Sequence, residues 1–125
     1  MKADILIESN LFPSYKGEEE LLNSGRFGKR LAEFLKSELE KENIIIKDLY
    51  PTDYSFELRI DQFEFEIFIL TGNIDGELNK YLISIEPKKE FVRKWFRKIP
   101  SKKRINELYK IIEKKLTQNE EINII

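Results

Sequence analysis

Apolar and polar positions alternate most cleanly in the middle of the chain. Tyr54, Phe56, Leu58 and Ile60 alternate with Ser55, Glu57, Arg59 and Asp61, and Phe63, Phe65, Ile67 and Ile69 alternate with Glu64, Glu66 and Phe68. A period of two predicts strands with one face in a core. A tight turn at Asp61-Gln62 sets Ile60 opposite Phe63, Leu58 opposite Phe65, Phe56 opposite Ile67 and Tyr54 opposite Ile69, an apolar pair each time. Asp-Gln is not a favoured two-residue turn, so a looser loop with a slipped register stays open. Ile44–Tyr50, ending at Pro51, predicts the preceding strand. Tyr81, Ile83 and Ile85 predict the following one, ending near Glu86-Pro87, after a turn in TGNIDG. Residues 3–8 read as a short first strand, LFPSYKGEEE as an exposed loop, and the terminal EINII as a short edge strand.

A period near 3.6 marks the rest. Phe27, Leu31, Phe34, Leu35 and Leu39 form one stripe, predicting a helix capped by Asn23 or Ser24 and running to about Glu42. Gly25 and Gly28 in its first turns indicate either close packing on a sheet or a backbone amide site for an anion. Residues 88–99 place Phe91, Val92, Trp95, Phe96 and Ile99 on one side of a second helix, with Trp95 as a core anchor. Pro100 breaks the chain, and Ser101 caps a last helix with Ile105, Leu108, Ile111, Ile112 and Leu116 inward. The prediction is a single α+β domain, residues 1–125. In it an antiparallel β-meander of about four to six strands packs on an N-terminal helix and two C-terminal helices.

Composition narrows the chemistry. There is no cysteine and no histidine, which removes disulfides, thiolate sites, the commonest metal ligand and the most frequent general base. The chain has no nucleophile elbow and no glycine-rich phosphate loop. Asn73, Asp75 and Gly76 faintly resemble a calcium loop, but the downstream ligands are missing and a turn fits better. A non-enzyme without a cofactor is expected. No run approaches the roughly 18 apolar residues of a membrane span, and acids stand near the N-terminus where a signal peptide is apolar, so a cytoplasmic protein is expected.

Charge is the sharpest feature. Net charge is only −1 from 22 basic and 23 acidic residues, yet Lys88–Arg104 holds nine basic residues and one acid. That segment is +8, so the other 108 residues carry −9. On the predicted helix Lys89, Arg93 and Arg97 form an i, i+4 row. Lys102, Lys103 and Arg104 fall in the first turn of the last helix, where the macrodipole disfavours cations by about 0.3–1 kcal/mol each. These six are the candidate contacts for an acidic partner or a phosphate. The predicted hairpin register sets Arg59 against Glu64 and Glu57 against Glu66, a like-charge pair. Glu57, Glu64 and Glu66 are therefore the alternative face, for a basic partner or, as paired carboxylates, for acid/base or metal chemistry. Two faces of opposite sign also permit self-association.

LNSGRFGKRLAEFL, DLYPTDYSFEL and EPKKEFVRKWFRKI together resemble a group of small bacterial proteins of unassigned activity. Asp53, Tyr54 and Phe56 fit an acidic-aromatic turn of the type E-D-W-G-W in that group, and Thr52 and Ser55 depart from it. The resemblance implies an α+β fold and brings no activity. Size, charge and topology are also similar, at class level, to immunity proteins that neutralise bacterial toxins. The expected function is a noncatalytic protein-binding module of immunity or inhibitor type, occluding a charged partner. Binding of a nucleotide, nucleic acid or other phosphate-bearing ligand through residues 88–104 stands second, and a carboxylate- or metal-dependent enzyme third.

Overall fold

The structure is a computed structural model that describes residues 3–88, 91–94 and 97–125, with 91–94 and 97–99 as backbone only. Its main sheet has six antiparallel strands: β1 (Ala3–Glu8), β2 (Asp48–Pro51), β3 (Phe56–Ile60), β4 (Ile67–Asn73), β5 (Lys80–Pro87) and β8 (Asn123–Ile124). A hairpin of β6 (Phe91–Lys94) and β7 (Arg97–Pro100) pairs separately. The order in the sheet is β2-β3-β4-β5-β1-β8. The strand order of the meander β2 to β5 is as the alternation predicts, but β2 begins at Asp48 rather than Ile44, β3 at Phe56 rather than Tyr54 and β4 at Ile67 rather than Phe63; the first and last strands extend the sheet past β5.

Two helices cover one face, α1 (Lys29–Glu40) and α2 (Lys102–Thr117). Between them and the sheet lies one core. Leu31, Leu35 and Leu39 of α1 and Ile105, Leu108, Ile112 and Leu116 of α2 meet Ile5, Ile7, Leu58, Ile60, Ile67, Ile69, Ile83 and Ile85. Ser101 stands at the cap position of α2, but its hydroxyl makes no bond to a helix amide.

Three expectations are corrected. The helix predicted over 88–99 is a two-stranded hairpin within the described residues, with Val92 opposite Ile99 and Arg93 opposite Lys98. Phenylalanine, valine and isoleucine there favour strands, and a run this short fits either period. Lys89, Trp95 and Phe96 lie outside the described residues.

The β3–β4 register is also shifted. Ile60 pairs with Ile67, Leu58 with Ile69 and Phe56 with Thr71, four residues beyond the tight-turn register. Residues 61–66 form a loop instead. Gln62 accepts the Ile45 amide through Oε1 at 2.7 Å and donates Nε2 to the Asn43 carbonyl at 3.2 Å. Phe65 is buried in the core. A shift of four preserves the faces because side chains repeat every two residues, but it replaces every cross-strand partner.

The first helix begins at Lys29, later than Asn23 or Ser24. Residues 23–28 are instead stitched to the end of β4. Asn73 accepts the Phe27 amide through Oδ1 at 3.0 Å and donates Nδ2 to the Gly25 carbonyl at 2.8 Å, while the Thr71 hydroxyl donates to the Gly28 carbonyl at 2.9 Å. Gly28 permits this approach, since a Cβ there would stand 2.3 Å from the Thr71 carbonyl oxygen. The amides at the helix start are occupied by Glu18, whose carboxylate accepts from Gly28 at 2.7 Å and Lys29 at 2.9 Å. Close packing is therefore the role of this glycine, and the anion at the helix N-terminus comes from within the chain.

Candidate functional site

Neither helix lies on the second face of the sheet. Its rows follow from the pairing. Tyr50, Glu57, Leu70, Ser84 and Asp4 form one line across β2-β3-β4-β5-β1; Asp48, Arg59, Phe68 and Glu86 form the next, and Gly72, Leu82 and Leu6 another. Phe68, Leu70 and Leu82 are partly exposed and Leu6 is 41% exposed. This outer face is thus apolar along its middle, with carboxylates between the apolar side chains.

The charges are unevenly matched. Arg59 is held by Asp48 and, at 3.1 Å, by Glu66. Ser84 Oγ lies 2.7 Å from Asp4 Oδ1 and 3.4 Å from Glu86 Oε1, so two carboxylates converge on one hydroxyl. Burial, together with the bond to Glu57, pushes the Tyr50 hydroxyl up to about 12. Among the described residues Asp4 and Glu57 have no cationic partner.

At one end of this face the chain forms a depression of about 240 Å³. It is lined by Gly72, Leu70 and Leu82 together with Ser84, Glu86 and Asn73. Tyr54, 60% exposed, stands at the side with the Arg26 guanidinium 5.5 Å from its ring centre. Arg26 also donates to the Asn73 carbonyl at 3.2 Å. The segments that carry Arg26 and Tyr54 are joined, for the Asn23 amide donates to the Asp53 carbonyl at 2.7 Å. Thr52 shapes the turn that lifts Tyr54 off the sheet, its hydroxyl accepting from the Ser55 amide at 3.1 Å.

The residues singled out from sequence are scattered. Glu57 belongs to the outer face. Glu66 bridges Arg59 and Lys88, the latter at 3.3 Å. Glu64 lies 3.4 Å from Arg104, which also bonds Glu107 and sits 4.6 Å over the Phe63 ring. The Glu57–Glu66 and Arg59–Glu64 pairs do not form, because Glu57 faces Tyr50 and Leu70 while Arg59 faces Asp48 and Phe68. Arg104 is thereby engaged within the fold, whereas Lys102 and Lys103 are exposed. Arg93 and Arg97 stand on the backbone of the β6–β7 hairpin rather than on a helix, and Lys89 and the side chains of Arg93 and Arg97 lie outside the described residues.

Arg26, Asp4, Leu70, Leu82, Ser84 and Glu86 were not singled out. The signal was present in IFIL and YLISIE, where apolar residues occupy both phases of the strand, one phase more than a solvated face needs. Among the described residues no group of three or more histidine, cysteine or acidic side chains could hold a metal ion. No helix among them is long and apolar enough to cross a membrane. Asn73 ends β4, and Asp75 and Gly76 form the turn that follows it, with φ of 47° and 75°. Comparison with protein-family models, curated proteins and solved structures finds no match to this chain.

Proposed function

We propose that this protein is a noncatalytic binding module of immunity or inhibitor type, acting in the cytoplasm by laying its outer sheet face over a basic protein partner. The observation that carries the reading is the mixed character of that face. Phe68, Leu70, Leu82 and Leu6 offer partly exposed apolar area, while Asp4 and Glu57 bring carboxylates without cations among the described residues. Apolar area supplies affinity, and the carboxylates supply steering and selection of a positively charged surface. A basic partner on the sheet face is preferred to an acidic one on residues 88–104 because Arg104, among the described residues, is engaged by Glu64 and Glu107.

Affinity capture from native lysate tests this with three baits: wild type, Glu57→Lys/Leu70→Arg, and Lys102→Glu/Lys103→Glu. The expected outcome is one stoichiometric basic protein, lost from the sheet-face variant and retained by the lysine variant. Loss from the lysine variant alone, or recovery of nucleic acid only, would overturn the proposal.

A further inference from the structure

Resting on that reading, we infer that the depression at Gly72 anchors an extended segment of the partner that presents an acid, an apolar residue and a base at alternate positions. The two ends of the depression carry opposite charge. At the Asn73 end stands the Arg26 guanidinium, stacked toward Tyr54 and without a carboxylate partner among the described residues. At the other end Asp4 and Glu86 converge on the Ser84 hydroxyl. Leu70 and Leu82 line the space between them, and Gly72 lets the Tyr54–Ser55 turn pack close to β4, for a Cβ there would stand 3.0 Å from the Tyr54 carbonyl oxygen.

Spacing sets the pattern. Gly72 pairs with Leu82, Leu70 with Ser84 and Phe68 with Glu86, so Glu86, the farther carboxylate, is about four residues, roughly 13 Å, from the basic end, and Ser84 with Asp4 about two. An extended partner segment has the same rise, which brings its residues i, i+2 and i+4 opposite Arg26, the two leucines and the carboxylates. A space of about 240 Å³ admits one side chain and falls short of the roughly 300 Å³ at which small-molecule sites begin. The partner is basic as a whole and places one carboxylate on Arg26.

Capped heptapeptides with threonine spacers, carrying Asp-Phe-Lys, Lys-Phe-Lys or Asp-Phe-Asp at alternate positions, test the pattern by amide-shift titration of the ¹⁵N-labelled protein. Asp-Phe-Lys should bind at least about threefold more tightly than either control, shifting the Gly72 and Leu82 amides. Arg26→Glu should move the preference to Lys-Phe-Lys, and Tyr54→Ala should weaken the Asp-Phe-Lys peptide. Tightest binding of Lys-Phe-Lys to the wild type, or no shift at those amides with any peptide, overturns the inference. The first of these results leaves the basic-partner reading standing; undiminished capture by Glu57→Lys/Leu70→Arg removes that reading instead.

Discussion

Glu18 is 3% exposed, and its carboxylate holds the entry to α1 from ten residues upstream. One oxygen accepts from the Gly28 and Lys29 amides, and the other accepts from Tyr15 at 2.9 Å. Truncation to alanine strands all three donors. The Gly28 bond is fully buried, so its loss costs about 1–3 kcal/mol. The other two are partly wet and cost about 0.5–1 kcal/mol each. Glu18→Ala should therefore lose about 2–5 kcal/mol, which for a chain this size lowers Tm by roughly 8–20 °C. Glu18→Gln keeps one carbonyl acceptor and should fall between. Exposed Glu20→Ala should stay within about 0.5 kcal/mol of wild type. Urea unfolding followed by circular dichroism gives all three values. If Glu18→Ala unfolds with the wild-type midpoint and slope, the remote cap contributes nothing and the account of this helix start fails.

Gly28→Ala should destabilise by about 1–3 kcal/mol or more, since its Cβ meets backbone at 2.3 Å. Gly25→Ala has open space and only its φ of 79° against it, so it should cost about 1–2 kcal/mol by the same unfolding assay. Lys47 donates to Asp61 at 2.8 Å and holds the Asp61 carboxyl below its ordinary value. The stability from this pair is present above a pH of about 3.9 and fades as pH falls further, so Lys47→Met should flatten part of the acid loss between pH 5 and 2, read as urea midpoints. The Tyr50 hydroxyl is pushed up to about 12, so its contribution is complete below a pH of about 10 and is lost toward 12. Tyr50→Phe should weaken the alkaline loss of stability over that range, measured the same way.

The sequence reading was strongest wherever a period was long and its partners local. The β5 and α2 spans follow directly from the Tyr81, Ile83, Ile85 phase and from the i, i+3, i+4 stripe, because each set lies wholly on the core face. The β3–β4 register was less legible. Period two is indifferent to a shift of four, and the contacts that select the longer loop run from Gln62 to Asn43 and Ile45, in another part of the chain. Residues 88–99 failed for a different reason, since their bulky apolar side chains suit a helix arc and a strand equally. Tyr54 kept its alternation in sequence but leaves the sheet at the Thr52–Ser55 turn, which carries it from the expected core row to the rim of the depression. That depression was invisible in one dimension, because Arg26, Gly72 and Leu82 come from three separate segments.

Oxidative footprinting of the captured complex tests the central claim most directly. The account predicts that Tyr54, Phe68, Leu70 and Leu82 become protected when the partner binds, while exposed Leu78 and the partly buried Tyr109 of α2 stay as reactive as in the free protein. Protection confined to other surfaces, with those four residues unchanged, would contradict it.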